Sequence, residues 1–370
     1  MLPAAPKDVG RLSDVLVSAI ASVGGATENR LRLPKVRHSV IVLVDGLGFE
    51  NIQNAAGFAR FLNQNLEHSI RCEFPSTTAT SLAGLATGKR SGEHGLIGYS
   101  VFDRELGAQR NLLTGWSSLS EAKKFKKVIA LSETLNQVRV RVIGSKSYEA
   151  TGFTELTMKN AEYVAGESIE ERFSALEKIF RSENSSVTYL YIPELDQTAH
   201  KFGVESNEWL HLLEELDMIL NRFSNKLPKN AGVIVTADHG VLDIPASQHY
   251  LFDEQDWFTS AVLNTAGDPR CNFVYLKAGQ DLGHFLEIAK QQVGHLAYVC
   301  TAAELVKTGW LVNFSQATSN LLPDLFVIWK EDMVGYDRRF SKPHHLELIG
   351  QHGAISDRET RIPLIKLGAY

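Results

Sequence analysis

Three segments of the chain share one pattern, in which a run of apolar residues stops abruptly at acidic or histidine residues. They are "HSVIVLVDGLG" (38–48), "SSVTYLYIPELD" (185–196) and "AGVIVTADHG" (231–240). In the first, the apolar run from Val40 to Val44 ends at Asp45. Near-continuous apolar runs of this length are typical of strands that are buried on both faces of a parallel sheet.

Other segments have the spacing of helices. "NEWLHLLEELDMILNRF" (207–223) places leucines and isoleucine on one side of an amphipathic helix. A second amphipathic helix is predicted near residues 12–20, and the segment around 50–65 is also predicted to be a helix. Strands that alternate with helices predict an α/β fold, in which helices sandwich a mostly parallel central sheet.

The character of the chain changes between about 241 and 343. Short strands are predicted at "FTSAVLN", "CNFVYLKAG", "LAYVC" and "DLFVIWKEDM", with one helix near 281–292. We therefore expect a catalytic core formed by residues 1–240 and 344–370, with 241–343 as a small α+β insertion. A histidine-rich loop and then an apolar strand, "RIPLI", close the chain.

Composition narrows the class of protein. The 370 residues are 44% hydrophobic and 22% charged, with a formal charge of −5, which argues against a nucleic acid polymer as partner. No run of 18 apolar residues occurs, so no membrane span is expected. Three cysteines without a CxxC pair fit a reducing compartment. A cytoplasmic location is expected, with export as the alternative because "RLSDVLVSAIASVGG" faintly resembles a signal peptide.

The residues at the strand ends are candidate metal ligands. In open α/β sheets, ligands bind at the carboxyl ends of the strands, where Asp45, Asp196, Asp238 and His239 stand. His200 follows Asp196 by four residues, so one helical turn places both side chains on one side. Mixed carboxylate and imidazole ligands favour Zn²⁺ over Ca²⁺ or Mg²⁺. A single Asp at a strand end is more often a cap or a turn residue, and only the convergence of several favours a metal site.

The ordered motifs of the chain resemble those of the alkaline phosphatase superfamily, specifically its type I phosphodiesterase and nucleotide pyrophosphatase branch. The matching segments are "VIVLVDGLG", "FPSTTATSLAGLATG" with "EHGLIG", "YIPELDQTAHKFG", "VTADHG" and "GQHGAISDRETRIPLI". They run from residue 40 to 365, which is nearly the whole chain.

The resemblance implies two metal sites and one nucleophile. One site matches Asp45, Asp238 and His239, and the other matches Asp196, His200 and His352. The family's nucleophile lies three residues after the proline of its F-P-[ST]-x-T motif, which is Thr78 here.

A threonine hydroxyl needs activation, and coordination to a divalent cation lowers its pKa. Two cations, most simply Zn²⁺, would hold the attacking and leaving oxygens of an in-line displacement that passes through a phosphothreonine. The expected substrate is a small phosphate ester or nucleotide. The oligomeric state stays open.

Two positions depart from the family's pattern. Tyr99 aligns with an asparagine that helps to hold a nonbridging phosphate oxygen, and it either substitutes for that residue or packs as an aromatic. Thr77 stands where some relatives have lysine. The aromatic residues Tyr99, Phe102 and Trp116 either stack on a base or only pack.

Rival functions remain on the same scaffold. A phosphomonoesterase or phosphonate hydrolase would favour an extra cationic group, for which Arg71 and Lys89 are the basic candidates near the motif. A sulfatase is disfavoured because the C-x-P-x-R or S-x-P-x-R motif is absent at this position, and the phosphoglycerate mutase branch would use serine. A catalytically inactive binding protein would be expected to lack ligands, and all six are present.

Overall fold

The fold is described from a computed structural model that covers residues 1–116, 128–134, 138–181, 185–312, 314 and 316–370. The strands are β1 His38–Val44, β2 Ser69–Arg71, β3 Ser100–Asp103, β4 Ala108–Asn111, β5 Arg139–Gly144, β6 Glu162–Ala165, β7 Ser186–Ile192, β8 Ala231–Thr236, β9 Leu242–Asp243, β10 His249–Leu251, β11 Val262–Asp268, β12 Cys271–Leu276, β13 Ala297–Cys300, β14 Leu325–Trp329, β15 Val334–Tyr336, β16 Gly350–Gln351, β17 Arg361–Pro363 and β18 Ile365–Gly368.

The described α-helices are mostly short. They are Ser13–Ser22, Phe49–Asn54, Arg60–Gln64, Thr78–Thr87, Ser91–His94, Leu131–Thr134, Lys146–Glu149, Gly152–Thr157, Ile169–Ile179, Glu194–Phe202, Asn207–Ser224, Asp256–Thr259, Leu282–Val293, Ala302–Thr308, Gln316–Ser319 and Asp357–Thr360. Short 3₁₀-helices occur at Ala246–Gln248, Phe252–Glu254 and Pro343–Glu347. Within this described part of the chain, no helix is long and apolar enough to cross a membrane.

A six-stranded central sheet positions the candidate site. Its spatial order is β18-β8-β1-β7-β5-β6, and every neighbouring pair is parallel except β18 with β8. β1 is buried along its whole length because helices cover both faces of the sheet, as its unbroken apolar run predicts. The ends of β7, β1 and β8 therefore lie side by side, with Val44 opposite Ile192 and Leu43 opposite Thr236.

A second, antiparallel sheet has the order β11-β12-β14-β13. Its strands alternate between two apolar clusters, because successive side chains of a strand point to opposite faces. On β12, Phe273 and Tyr275 join the main core, whereas Val274 and Leu276 pack in a separate cluster with Phe285 of the helix Leu282–Val293. The second sheet is thus continuous with the core through one face. The division at 241–343 stays a prediction.

The predicted fold class is confirmed, and most of the predicted elements are found. The helices expected near 12–20, 207–223 and 281–292 are Ser13–Ser22, Asn207–Ser224 and Leu282–Val293.

Three local predictions were wrong. The helix expected over about 50–65 is two short helices separated by a turn that contains Gly57, a residue that lowers helix propensity. In "FTSAVLN" the strand begins only at Val262, after the helical turn Asp256–Thr259. The closing strand "RIPLI" is split between β17, which pairs with β2, and β18, which pairs with β8.

Candidate metal centre

The first group of candidate ligands lies where β1 and β8 end. Asp45 directly follows β1, and Asp238 and His239 follow β8 by two and three residues. One ligand atom from each of the three side chains lies within 4.8 Å of the others. His239 Nε2 is 3.3 Å from Asp45 Oδ1 and 3.6 Å from Asp238 Oδ2. We call this group the sheet triplet.

The second group combines a helix with a loop. Asp196 and His200 lie one turn apart on the helix Glu194–Phe202 after β7, and His352 follows β16. Their ligand atoms also lie within 4.8 Å of one another, with His200 Nε2 3.3 Å from Asp196 Oδ2. We call this group the helix-loop triplet. The rings of His239 and His352 stack at 3.7 Å between centroids, so the two triplets are neighbours.

All three histidines turn the same nitrogen towards a backbone carbonyl. Nδ1 lies 2.7 Å from Gly350 O in His200, 2.9 Å from Ser76 O in His352 and 3.3 Å from Gly240 O in His239. A carbonyl oxygen only accepts, so each Nδ1 carries a proton, and each Nε2 faces its triplet as the nitrogen that offers a lone pair when the ring is neutral. This is the arrangement that a metal-binding histidine needs.

The carboxylates pass a further test of fit to cations. Within the described residues, Asp45 Oδ1, Asp196 Oδ1 and Asp238 Oδ2 are buried without a hydrogen-bond partner. Buried charged oxygens are normally paired or bound to metal, because desolvation without compensation is costly. These unpaired oxygens, together with the Nε2 atoms that face them, suit two cations with mixed oxygen and nitrogen ligands.

The sheet triplet is electrostatically strained without a cation. Burial raises the pKa of Asp45 well above its ordinary value, and the charges of Asp238 and Asp196 raise it further. Burial likewise raises the pKa of Asp238 to about 7, with the charge of Asp196 adding to the effect. Burial lowers the pKa of His239 to about 4, so this ring is neutral at physiological pH.

The helix-loop triplet carries its own counter-charge. Burial alone would raise the pKa of Asp196, but the charge of His200 and its hydrogen bond hold that pKa well below the usual range. Burial opposes protonation of His200, yet the Asp196 carboxylate raises the pKa of this histidine to about 9. His352 is neutral, because burial and then the neighbouring His239 lower its pKa to about 3.

Thr78 begins the helix Thr78–Thr87 next to the sheet triplet. Its hydroxyl lies 3.2 Å from His239 Nε2. The preceding Thr77 has an extended backbone and makes no side-chain cap to the helix, so the first amide groups of the helix are free to bind an anion. Among the hydroxyls of "FPSTTATSLAGLATG", Ser76 instead donates to Ala354 O.

The other predicted positions lie elsewhere. Tyr99 is half-buried, its backbone N–H donates to Asp268 Oδ2 at 3.2 Å, and its hydroxyl makes a hydrogen bond with Asn111. A role for Tyr99 in binding phosphate stays a prediction. Phe102 packs in the core against Tyr275, with ring centroids 5.4 Å apart. Trp116 lines a cavity beside the site.

Neither basic candidate for a monoesterase lies at Thr78. Arg71 donates to Asp357 and Thr360 on the pairing of β2 with β17. Lys89 follows the far end of the helix Thr78–Thr87, which places it about 15 Å from Thr78 at 1.5 Å per residue. The cationic group that a dianionic monoester favours is therefore not supplied by these two residues.

Three supporting residues were missed by sequence reasoning. The Tyr191 hydroxyl donates a short hydrogen bond to Asp45 Oδ2, and the backbone N–H of Gly46 donates to Asp238 Oδ1 at 3.2 Å. A Cβ at Gly46 would lie 2.9 Å from Asp196 Oδ1, so only glycine fits this close approach. Ser76 O accepts from His352. Tyr191 stands within "YIPELD", the one signal that could have drawn attention to it.

Known proteins are similar to this chain in sequence and in fold. The family model described as type I phosphodiesterase / nucleotide pyrophosphatase matches residues 39–298. No curated protein sequence matches the chain.

Two solved structures show the same fold at low sequence identity. Human ectonucleotide pyrophosphatase / phosphodiesterase 5 is 15% identical, with a TM-score of 0.65 over 89% of this chain and 87% of that one. The murine protein of the same name, an inactive threonine-to-alanine variant in complex with AMP, is 15% identical, with a TM-score of 0.63 over 88% of this chain and 87% of that one.

Proposed function

The chain belongs to the type I phosphodiesterase / nucleotide pyrophosphatase family, and from that membership we propose that it cleaves phosphodiester or pyrophosphate bonds of nucleotide-type substrates through a covalent intermediate on Thr78. Membership makes it a phosphodiesterase-type hydrolase. The nucleophile, the two metal sites and the substrate class are our proposal.

The position of the Thr78 hydroxyl carries the proposal. It lies 3.2 Å from His239 Nε2, beside the sheet triplet and at a helix N-terminus without a side-chain cap. In the proposed reaction Thr78 Oγ1 bonds to phosphorus while the bond from phosphorus to the leaving oxygen breaks, and water later cleaves the phosphothreonine. The free amide groups of the first helical turn stabilise the phosphate oxygens. That the AMP complex of the murine relative was obtained with an inactive threonine variant also supports a threonine nucleophile.

Two divalent cations, for which Zn²⁺ fits the donor set best, would be held by the two triplets. The sheet triplet offers Asp45, Asp238 and His239, and the helix-loop triplet offers Asp196, His200 and His352. When bound, such cations lower the pKa of the nucleophile and balance the charge that develops on the attacking and leaving oxygens.

A cavity of about 460 Å³ beside the sheet triplet supports an organic leaving group. Its lining includes Trp116, Tyr148, Phe153 and Tyr191, together with Leu82, one turn after Thr78 on the same helix. None of the described residues that line it is charged. A ring-shaped, neutral group such as a nucleobase suits an aromatic cavity of this size. With the positions of Arg71 and Lys89, this favours a diester over a monoester.

The test compares the p-nitrophenyl ester of a nucleoside monophosphate with p-nitrophenyl phosphate. We expect the diester to have the higher kcat/KM and Thr78→Ala to lose at least about a thousandfold of that activity, since an essential nucleophile is removed. Thr78→Ser is the matched control, because it keeps a hydroxyl and should retain measurable turnover. Full activity of Thr78→Ala would refute the nucleophile, and a monoester preference would move the function to the rival phosphomonoesterase.

A further inference from the structure

A buried arginine reaches from the second sheet into the catalytic core. Arg270 lies in the turn between β11 and β12 and is fully buried. Its Nε and Nη2 donate to the two carboxylate oxygens of Glu359 at 3.1 and 2.9 Å, which is a bidentate pair. Its Nη1 donates to the carbonyl oxygens of Glu331 and Met333, so the guanidinium is held from both sides.

Glu359 accepts several hydrogen bonds from the segment that carries His352. Its Oε1 accepts from the backbone N–H of Ala354 at 2.8 Å, and its Oε2 accepts from the hydroxyl of Ser356 at 2.6 Å. Its own carbonyl accepts from the backbone N–H of Gly240, the residue after His239, at 2.8 Å. Glu359 therefore fixes the backbone next to one candidate ligand in each triplet.

Ser76 connects that segment to the nucleophile. Its hydroxyl donates to Ala354 O at 2.7 Å and accepts from the backbone N–H of Gly353 at 3.2 Å, while its carbonyl accepts from His352 Nδ1 at 2.9 Å. Ser76 lies two residues before Thr78. A continuous set of contacts thus runs from Arg270 through Glu359 and Ala354 to Ser76.

The same turn makes a second contact with the catalytic core. Asp268, at the end of β11, accepts from the backbone N–H of Tyr99 and packs against the Cα of Gly353. A Cβ at Gly353, whose φ is +130°, would lie 2.8 Å from Asp268 Cβ. The turn therefore touches the backbone directly after His352.

Stability alone does not account for this buried ion pair. Replacing a buried pair with apolar residues of similar volume is often neutral or stabilising, so such pairs are weak contributors to folding. A bidentate arginine does, however, fix a carboxylate in position and orientation, which a lysine or an apolar side chain cannot do. The bidentate geometry of Arg270 and Glu359 is suited to holding the loop that carries His352 in a fixed position.

We infer that Arg270 is a positioning residue of the catalytic centre, which holds Glu359 and through it the segment 352–360 that completes the helix-loop triplet. The part of this inference that is tested by zinc affinity and kcat rests on the proposed function. Arg270 and Glu359, which both follow β8 in the chain, then contribute to catalysis because they fix the backbone near His352 and at Gly240.

The experiment uses three variants of the full chain. Arg270→Lys keeps the buried charge but loses the bidentate geometry, and Arg270→Met/Glu359→Gln removes both charges together, so that neither is left unpaired. We expect each to bind one Zn²⁺ about 10–100-fold more weakly than the wild type, which is the usual loss for a partner that orients a metal ligand. The fall in kcat should be similar, with a smaller change in KM, because the substrate cavity is not altered.

Arg339→Met is the matched control. Arg339 pairs with the buried Asp337 inside the 241–343 region, so its loss disturbs that region without touching Glu359. We expect a lower melting temperature with unchanged zinc affinity. Wild-type zinc affinity and kcat in a folded Arg270→Lys or in the folded double variant would overturn the inference.

Amide hydrogen exchange in the zinc-free protein separates this inference from the proposed function. Arg270→Lys should exchange faster than the wild type in peptides covering 350–360, with unchanged exchange in peptides covering β1. Unchanged exchange in 350–360 would overturn the positioning role even if zinc binding were never detected. If the wild type binds no metal but 350–360 exchanges faster in the variant, the proposed function fails and the positioning role stands.

Discussion

The two triplets contain the same types of residue but are built in opposite ways. The sheet triplet stands at the ends of two adjacent parallel strands and is fully buried, with two carboxylates and a neutral histidine. The helix-loop triplet takes two ligands from one helix and the third from a distant loop, and His200 is partly exposed. The first has an excess of negative charge, whereas the second already contains the Asp196–His200 ion pair.

This difference predicts different behaviour towards a cation. In the sheet triplet a divalent ion relieves repulsion between buried carboxylates, so binding and stability reinforce each other. In the helix-loop triplet the ion must displace the proton of His200, because the pKa of this histidine is about 9. A cation also displaces protons from Asp45 and Asp238, whose pKa values are raised, but it then faces two carboxylates there and only one in the helix-loop triplet, so we expect the sheet triplet to bind the more tightly held ion.

Removal of one ligand from each triplet gives the largest effect. Asp238→Asn and His352→Ala should each leave about one Zn²⁺ per chain and lower diester hydrolysis by at least about a hundredfold, since even the loss of an orienting partner can cost that much. Zinc content by atomic absorption and steady-state kinetics measure this. His345→Ala, a half-buried histidine outside both triplets, should keep both ions. Two ions retained in either ligand variant would contradict the assignment.

The stability of the metal-free protein should change in opposite directions. At pH 8 in chelator, Asp238→Asn should raise the free energy of unfolding by about 1–3 kcal/mol, because it removes a buried carboxylate that repels its neighbours. Asp196→Asn should lower it by a similar amount, because His200 loses its counter-charge. Denaturant unfolding of both variants measures the two signs, and equal signs would refute the contrast.

The pH dependence of these two effects also differs. The pKa of Asp238 is raised from 3.8 to about 7, so the wild type loses stability as the pH rises from about 4 to about 7, and the advantage of Asp238→Asn should be complete above pH 7 and shrink as the pH falls towards 4. The pKa of His200 is raised from 6.5 to about 9, so its stabilising pair is fully present below pH 6.5 and lost as the pH rises through 9. The cost of Asp196→Asn should therefore be larger at pH 6 than at pH 9.5.

A single hydroxyl gives the smallest predicted effect. Tyr191→Phe removes the hydrogen bond to Asp45 and should weaken zinc binding at the sheet triplet roughly tenfold, with no change at the helix-loop triplet. Tyr189→Phe is the control for metal affinity, because its buried hydroxyl has no hydrogen-bond partner among the described residues. Isothermal titration with Zn²⁺ measures the zinc affinity of the wild type and of both variants. Equal affinities for Tyr191→Phe and wild type would show that the phenol does not orient Asp45.

The sequence was sufficient to predict a helix, a strand or a candidate ligand wherever the pattern lies within a single element. Asp45 and Asp238 could be predicted because apolar strands end beside them, and His200 because it follows Asp196 at helical spacing. His352 required the family resemblance, since a loop histidine has no periodicity to reveal it.

Contacts between distant segments could not be predicted in this way. Arg270 and Glu359 are 89 residues apart, and each looks like a surface charge in its own turn. The hydrogen bond from Tyr191 to Asp45 joins two strands and depends on their register, which the sequence alone does not give. The helix expected over 50–65 is interrupted between Asn54 and Arg60, in a turn that contains Gly57.

The chain order of the ligands has a consequence for biosynthesis. All three residues of the sheet triplet precede residue 240, whereas His352 lies close to the C-terminal residue of this sequence. During translation, when chains fold from the N-terminal side first, the sheet triplet can assemble well before its neighbour. The sixth ligand arrives only with the segment that also delivers β18 to the edge of the central sheet. Under the proposed two-metal site, a nascent chain should therefore acquire its ions in a fixed temporal order.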